Sequence, residues 1–285
     1  MFRSPYELMK ITGLAAKTVR YYHAGPNDRF FYPYRLQPAD PQTASHRARE
    51  QAVEYIIDSD FNNEDVDNQQ VIDHAIEYDA THIVPKDYVS TPDNDITPTE
   101  ARDRTTESLA DFFDRYESAD VDAQVIIPLQ PPHDDHYETI TERFGDFGYY
   151  AVGGVAKADP ERKVEAARTA REAVGPYKQL HGFGFGPTFT VIQTLRNEPG
   201  LLDSMDSSTL ENNSVAGAAL DKWGDTVKVP IAKGDDTTSV HGSLIRFGLT
   251  HINYMLSPLC GDDELQDEYE RMKRVMSEQS GVTDF

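Results

Sequence analysis

The chain has very little cysteine and no long apolar run. Its single cysteine, Cys260, excludes an internal disulfide and a zinc site built from several cysteines, and we interpret it as a small buried residue. No apolar stretch approaches the roughly 20 residues that span a bilayer, and the first residues, Met1 to Glu7, lack an apolar signal region. We therefore expect a cytoplasmic protein that does not enter a membrane.

Basic residues are also scarce relative to acidic ones. The sequence has 27 Lys and Arg against 49 Asp and Glu, a net charge of -22, and the excess is spread along the chain. A dispersed acidic surface is typical of proteins from salt-loving (halophilic) organisms, with an ordinary acidic protein as the alternative. At low salt this charge would repel nucleic acid, whereas at molar salt a Debye length of about 3 Å screens the repulsion. Nucleic acid therefore stays open as a partner, although no basic patch argues for it.

Short apolar or β-branched runs alternate with stretches of helical spacing. Helices are predicted over 68–78, 99–116 and 161–174, the last preceded by a capping Asp159 and by Pro160 in its first turn. Eight strands are predicted, at 19–23, 53–58, 81–85, 124–129, 149–152, 179–183, 201–206 and 226–231. Such alternation indicates a parallel sheet. Eight repeats in about 250 residues favour a closed (β/α)8 barrel of the TIM type, with a doubly wound open sheet as the alternative.

The size and composition fit one globular α/β domain. The chain has 285 residues, 38% of them hydrophobic, with 15 Tyr and 13 Phe. No internal repeat, low-complexity tract or linker divides it. We predict a single barrel domain over residues 1–285, with an N-terminal extension and a charged C-terminal helix over 263–279.

Polar side chains and glycines stand where the predicted strands end. They are Asp58, Asp87, Gln130, Gly153, Gly154, His181, Gly182, Phe183 and Asp206. Because active sites of barrels form at the C-terminal ends of the strands, we expect these residues to converge on a polar heterocycle or a sugar. Two carboxylates near an anomeric carbon can cleave a glycosidic bond, one as nucleophile and one as acid or base. The alternative for each Asp is a helix cap or an Asx turn.

Six segments of the chain are similar, in the same order, to the motifs of one enzyme family. Asp58-Ser59-Asp60-Phe61 is similar to the motif Asp-Ser-Gly-Gly-Phe, and Pro85-Lys86-Asp87-Tyr88 is similar to Phe-Asp-Glu. Pro128-Leu129-Gln130 is similar to the end of Gly-Ile-Val-Gln, and Gly153-Gly154-Val155 to Gly-Gly-Leu. His181-Gly182-Phe183-Gly184 is similar to Met-Gly-Val-Gly, and Asp203-Ser204-Met205-Asp206 to Asp-x-Phe-Asp. Their shared order over residues 53–217 resembles the tRNA-guanine transglycosylase superfamily, which is built on a (β/α)8 barrel.

The resemblance implies a base exchange through a covalent enzyme–nucleic acid intermediate, without a cofactor. Asp206 would be the nucleophile that attacks the anomeric carbon and expels guanine, and Asp58 would be the general acid/base. The implied substrate-binding residues are Asp87, Gln130, Gly153 and Gly154, with the backbone of His181, Gly182 and Phe183 as a wall of the base pocket.

Two departures separate the chain from the tRNA enzymes of the family. Those enzymes hold zinc with three Cys and a His after the nucleophile, which a chain with one cysteine cannot do, and Asp60 replaces a glycine of the first motif. Short members of the superfamily act on DNA, often in viruses and genome-defence clusters, and insert 7-deazaguanine bases. We therefore expect a metal-free enzyme that exchanges guanine in DNA for a free 7-deazaguanine base such as 7-cyano-7-deazaguanine, with a homodimer left open. The alternatives are a tRNA enzyme of the archaeosine or queuosine type, a catalytically silent barrel that binds nucleic acid or a modified base, and a glycoside hydrolase.

Other features have simpler interpretations. The run from His133 to His136 has the residue types of a metal cluster, but two preceding prolines favour a solvated turn. His181 and His241 are interpreted as hydrogen-bonded core histidines. The basic and aromatic stretch over 20–47 suits either nucleic-acid stacking or a clamp over the bottom of the barrel. Asp203 is expected to lie inside the strand that precedes Asp206 and to orient the loop.

Overall fold

A nearly closed barrel of parallel strands forms the centre of the molecule. The structure is a computed structural model that describes residues 19–40, 44–61, 63, 65–92, 94–220, 226–228 and 237–257. The strands of the barrel are β1 Arg20–Ala24, β2 Tyr34–Pro38, β3 Glu54–Asp58, β4 His82–Ile83, β5 Gln124–Val125, β6 Ile127–Leu129, β7 Tyr149–Val152, β8 Gln179–Gly182 and β9 Ser204–Ser207. They pair in the order β5-β4-β3-β2-β1-β9-β8-β7-β6, and every pair is parallel.

The strand order shows that the sheet curls back on itself. β5 and β6 are its two edges, yet only Ile126 separates them in the chain. The backbone N–H of Ile126 donates to the carbonyl of Ile83 on β4 at 2.9 Å, while β6 pairs with β7 on its other side. The two edges therefore lie side by side, which excludes a doubly wound open sheet and confirms the α/β barrel of the TIM type.

Helices follow most of the strands, as the alternation predicts. Their bounds are α1 His46–Gln51, α2 Asn68–Glu77, α3 Pro98–Tyr116, α4 His133–Phe144, α5 Pro160–Val174, α6 Phe189–Asn197, α7 Thr209–Val215 and α8 Thr237–Met255. The three helices predicted from sequence are confirmed, and each begins at a capping side chain: Asp67 for α2, Thr97 for α3 and Asp159 for α5. None of the helices within the described ranges is long and apolar enough to cross a membrane.

Two strand predictions are wrong. The described part of the predicted eighth barrel strand over 226–231 is not in the barrel, because β11 Thr226–Lys228 pairs antiparallel with β10 Ala218–Leu220 in a separate two-stranded sheet. The missing barrel strand is β2, which lies within the basic and aromatic stretch. The prediction missed β2 because its outward-facing positions hold Arg35 and Gln37, so the strand lacks the continuous apolar run that marks a strand buried on both faces.

The basic and aromatic stretch is part of the barrel rather than a surface for nucleic acid or a clamp over its bottom. Tyr21, Tyr22 and Tyr32 have no exposed area, and Arg35 is 1% exposed. The guanidinium of Arg35 donates to the carbonyls of Gly25 and Asn27, at 3.3 and 2.6 Å, instead of facing solvent. The predicted N-terminal extension up to residue 18 and the C-terminal helix over 263–279 lie outside the described residues.

Side chains alternate between the barrel interior and the layer under the helices. The interior holds one apolar cluster, which consists of Tyr22, Leu36, Ile56, Val84, Ile126, Tyr149 and Ala151. On β3, Tyr55 and Ile57 instead face the outer layer, where they pack with residues of α2 and α3. Because alternate residues of a strand share a face, Asp58 follows Ile56 on the inner face, at the C-terminal end of β3. The same alternation places Ser204 and Asp206 inside the barrel on β9.

Candidate active site

A cavity of about 590 Å³ opens at the C-terminal ends of the barrel strands. Residues at the ends of β1, β2, β3 and β9 line it, as the rule for barrel active sites predicts. Four carboxylates and two lysines contribute to its wall: Asp58, Asp60, Asp87, Asp206, Lys157 and Lys163. Such a concave and polar site can bind a small polar ring and act on it.

Asp58 is set up to carry a proton. Burial raises the pKa of its carboxyl group well above the ordinary range, and the nearby charges of Asp87, Asp206 and Asp60 raise it further. A carboxyl group with a raised pKa keeps its proton to a higher pH than an exposed carboxyl group does. It can therefore act as a general acid toward a group bound in the cavity.

Asp206 is held by one of its two carboxylate oxygens. Oδ1 accepts the backbone N–H of Gly184 at 3.0 Å and is 3.1 Å from Nε2 of His181. Among the described residues, none hydrogen-bonds to the other oxygen, Oδ2, and the residue lines the cavity with 6% of its area exposed. A carboxylate that lines a cavity, fixed through one oxygen while the other is left without a hydrogen bond from the described residues, has the arrangement that a nucleophile requires.

Asp87 connects two strand ends through hydrogen bonds. Its Oδ1 accepts the hydroxyl of Ser59 at 3.2 Å, and its Oδ2 accepts Nε2 of Gln130 at 2.9 Å. Burial raises the pKa of Asp87, while Lys86 and these hydrogen bonds act in the opposite direction. The buried amide oxygen Oε1 of Gln130 has no hydrogen-bond partner. The pair thus forms a fixed polar edge at one side of the cavity.

Gly153 and Gly154 are required by close packing against that edge. A Cβ on Gly153 would lie 2.9 Å from Nε2 of Gln130, and one on Gly154 would lie 2.5 Å from Cδ of Pro131. Gly154 also has a φ of +72°, in the left-handed region that favours glycine. The glycine pair therefore allows the backbone to approach the amide of Gln130 while still lining the cavity.

The expectation of a solvated turn over 133–136 is wrong. His133 and His136 begin helix α4 and are 4% and 1% exposed. Nδ1 of His136 accepts the backbone N–H of Gln130 at 2.8 Å, and Nε2 of His133 lies 3.0 Å from the carbonyl of Gly153. Burial lowers the pKa of His136 to about 3, which keeps this acceptor nitrogen unprotonated. The two histidines thus hold the ends of β6 and β7, which carry the polar edge and the glycine pair.

Asp60 has the backbone conformation that a glycine would favour. Its φ is +48°, and the motif that this segment resembles has glycine at this position. Asp is one of the few residues other than glycine that adopt this region at modest strain. The loop after β3 therefore keeps a glycine-like path although its sequence differs from the motif, and the side chains of Asp60 and Phe61 line the cavity.

Most of the predicted site residues meet at this cavity, but not all of them. Asp58, Asp87, Gly153, Gly154, Phe183 and Asp206 line it. Gln130, His181 and Gly182 do not line the cavity: Gln130 and His181 have no exposed area, and Gly182 is buried. The expectation that the backbone of 181–183 forms a pocket wall therefore holds for Phe183 and its neighbour Gly184, whereas His181 supports Asp206 from within the barrel as a hydrogen-bonded core residue.

Asp203 lies at the opposite end of the barrel from the cavity. It precedes β9, and its Oδ2 accepts Nη2 of Arg171 at 2.8 Å and the backbone N–H of Leu180 at 2.8 Å. The expectation that Asp203 lies inside the strand and orients the catalytic loop is wrong. It fixes the start of β9 instead.

Several lining residues were not predicted. Ser207, Ser208 and Thr209 follow Asp206, and Lys163 reaches the cavity from α5. Lys163 shares the buried face of α5 with Val164 and Ala167, and its Nζ donates to the carbonyl of Gly184 at 2.7 Å. A charged residue on the apolar face of a helix is unusual, and this feature of the sequence could have identified Lys163 as a candidate site residue.

Comparison with protein families and with curated proteins gives no match for this chain. No family model matches the chain, and no curated protein matches it either. Within the part of the chain that the structure describes, no group of three or more His, Cys, Asp or Glu is arranged to hold a metal ion. The chemistry of the site must therefore be argued from its own geometry.

Proposed function

We propose that the protein is a base-exchange transglycosylase that replaces guanine in DNA with a 7-deazaguanine derivative, through an intermediate linked to Asp206. The observation that carries the proposal is the meeting of Asp58, Asp87 and Asp206 at one cavity, next to the pair Gly153-Gly154. These residues come from distant parts of the sequence. Their chemistry divides into a nucleophile, an acid and a base-binding edge.

In the first half-reaction, Asp206 is the nucleophile. Its Oδ2 attacks C1′ of the deoxyribose, the bond between C1′ and N9 of guanine breaks, and the bonding electrons leave with the base. The protonated Asp58 donates its proton to the departing base, which leaves as neutral guanine. The sugar is then held as an ester of Asp206, and Asp58 is ionised.

In the second half-reaction, the incoming base reverses these steps. Its N9 attacks C1′, the ester bond breaks, and the carboxylate of Asp206 is regenerated. The proton on N9 passes to the ionised Asp58. A single carboxyl group can serve as acid and then as base because burial and its acidic neighbours raise its pKa.

Asp87 supplies acceptors for the base. A guanine ring and a 7-deazaguanine ring present the same N–H and amino groups at one edge, and a carboxylate can accept two such donors at once. The hydrogen bonds from Ser59 and Gln130 fix the position of this carboxylate. Specificity for a ring that carries those donors follows, because only such a ring adds donors to the remaining lone pairs of the buried carboxylate and so offsets the water that the ring displaces.

We favour DNA over tRNA because the zinc site of the tRNA enzymes cannot form in a chain with one cysteine. The net charge of -22 predicts that binding to either nucleic acid improves as salt screens the repulsion between the two partners. This dependence is opposite in sign to that of ordinary proteins that bind through basic residues.

Exchange of labelled guanine into duplex DNA and into tRNA, at low and at molar salt, tests the proposal. We expect incorporation into DNA by the wild type and none by Asp206→Ala or Asp58→Ala. Asp203→Ala is the matched control, since it removes a carboxylate that belongs to the same segment but lies at the other end of the barrel. Omission of the incoming base should trap a protein–DNA adduct that survives denaturing electrophoresis.

The outcomes separate the competing functions. Exchange into tRNA alone would move the same chemistry to the other substrate. Binding of DNA or of a modified base without exchange or adduct would indicate a catalytically silent barrel. Full activity of Asp206→Ala would refute the assignment of the nucleophile.

A further inference from the structure

A chain of hydrogen bonds runs through the barrel interior to Asp206. The hydroxyl of Tyr149 on β7 lies 2.6 Å from Oγ of Ser204, which lies 2.7 Å from Nδ1 of His181 on β8. The other ring nitrogen of His181, Nε2, lies 3.1 Å from Oδ1 of Asp206. The base-exchange chemistry described above does not use Tyr149, Ser204 or His181.

If Asp206 is ionised, the donors and acceptors of this chain of hydrogen bonds can be assigned in only one way. A carboxylate can only accept, so Nε2 of His181 must carry a hydrogen and donate it. In a neutral ring, Nδ1 is then the acceptor and takes the hydroxyl hydrogen of Ser204. The oxygen of Ser204 is left to accept the hydroxyl of Tyr149, whose pKa burial raises to about 12, so that it keeps its hydrogen.

The chain is shielded and its central ring is locked. Tyr149, His181 and Ser204 have no exposed area. The ring of His181 packs edge-on against Tyr22, with centroids 5.7 Å apart, and against Phe183, with centroids 4.9 Å apart. Because the ring cannot turn without disturbing both contacts, the position of Nε2 under Asp206 is fixed.

We propose that Tyr149, Ser204 and His181 form a positioning relay, which anchors Oδ1 of Asp206 and so directs Oδ2 at the cavity. The relay rests on the proposed role of Asp206 as nucleophile. His181 does not line the cavity, so it acts through Asp206 rather than on the substrate. The family motif that this segment resembles begins with Met, whose side chain cannot donate a hydrogen bond, so the relay is a property of this chain.

Variants at His181 test the relay through the rate of adduct formation. His181→Leu removes the donor and should slow single-turnover adduct formation by about 100-fold, the loss that accompanies a displaced reacting group. His181→Gln places an amide nitrogen near the position of Nε2 and should recover much of that rate. The affinity for the incoming base should stay unchanged in both variants, because the ring does not touch the cavity.

Matched substitutions extend the test to the remote members of the relay. Tyr149→Phe and Ser204→Ala should each slow adduct formation by about tenfold. Ser204→Ala removes the partner of the ring nitrogen opposite the one that binds Asp206, and Tyr149→Phe removes the hydroxyl that holds Ser204. Tyr22→Phe is the control, because it deletes another buried tyrosine hydroxyl of the barrel interior, one that bonds to Glu54 instead. Its rate should stay within about twofold of the wild type. Equal losses in Tyr22→Phe and Tyr149→Phe would indicate a general packing effect and overturn the relay.

Nitrogen-15 NMR of labelled histidine tests the relay without any activity. The signals of His181, identified by their loss in His181→Gln, should show the tautomer with hydrogen on Nε2, and Ser204→Ala should shift the signal of Nδ1. Hydrogen on Nδ1 in the wild type would overturn the donor order. If the wild type shows the expected tautomer but neither exchange nor adduct, the proposed function is refuted and the relay remains a structural chain. If the wild type is active and His181→Leu forms the adduct at the normal rate, the relay alone is refuted.

Discussion

Gly154→Ala is the substitution that probes the packing behind the cavity most directly. The new methyl group would lie 2.5 Å from Cδ of Pro131 and 2.9 Å from Oε1 of Gln130. The proline ring is held by its own backbone and cannot swing away, whereas the amide of Gln130 can move only by weakening its bond to Asp87. The substitution therefore disturbs the polar edge formed by Asp87 and Gln130 whichever neighbour gives way.

The free-energy change has two parts. An alanine at a φ of +72° costs about 1–2 kcal/mol because its Cβ crowds the following carbonyl. Forcing a methyl group into a filled space costs about 1–3 kcal/mol more. We expect the free energy of unfolding of Gly154→Ala to fall by about 2–5 kcal/mol, the sum of both parts.

Gly200→Ala is the control for a positive φ without close neighbours. Gly200 has a φ of +90°, and none of the described residues lies within 4 Å of an added Cβ. Denaturant unfolding of both variants should show Gly154→Ala less stable than Gly200→Ala by about 1–3 kcal/mol, at an equal denaturant dependence. Guanine exchange should fall only in Gly154→Ala. Equal stabilities would refute the packing argument, because an added Cβ meets Pro131 and Gln130 at Gly154 and has no such neighbours at Gly200.

Two further predictions concern carboxylates at opposite ends of the barrel. The free energy of unfolding of Asp58→Asn should exceed that of the wild type by a margin that grows as pH rises above about 4. The reason is that the folded wild type holds a proton that its unfolded chain has lost. A margin that stays constant in unfolding measurements from pH 4 to 8 would contradict this prediction. Asp203→Ala should lower the free energy of unfolding by about 1–2 kcal/mol through its lost bonds to Arg171 and Leu180, with guanine exchange unchanged, and a loss of exchange would contradict its placement away from the cavity.

The residues at strand ends were predictable because a barrel brings all such ends to one face. Asp58, Asp87 and Asp206 each follow an apolar run that has the length and composition of a buried strand. Once the strands are parallel and the sheet is closed, their C-terminal ends meet, whatever their separation along the chain. The meeting of these carboxylates therefore required only the strand count and the direction of the strands.

The errors arose where polar residues are buried. β2 was missed because Arg35 and Gln37 occupy outward positions that a strand of this fold usually gives to apolar residues, and both are satisfied largely by carbonyls of the loop after β1. The helix at His133 was missed because two prolines precede it and its first histidines are buried acceptors and donors rather than solvated groups. Hydrogen bonding between distant segments decides such positions, and no local pattern encodes it.

The pairing of β1 with β9 has a consequence for the order of folding. The hydroxyl of Tyr21 on β1 donates to the carbonyl of Ser207 on β9, 186 residues later in the chain. Contacts between segments so far apart form slowly, because the entropy cost of closing a long loop comes before the contacts stabilise the chain. Among the described residues, β9 is the last strand of the barrel and carries Asp206, so Asp206 reaches its place only when the barrel closes. A folding intermediate that contains β1 to β8 would hold Asp58 and Asp87 in position while the cavity still lacked Asp206.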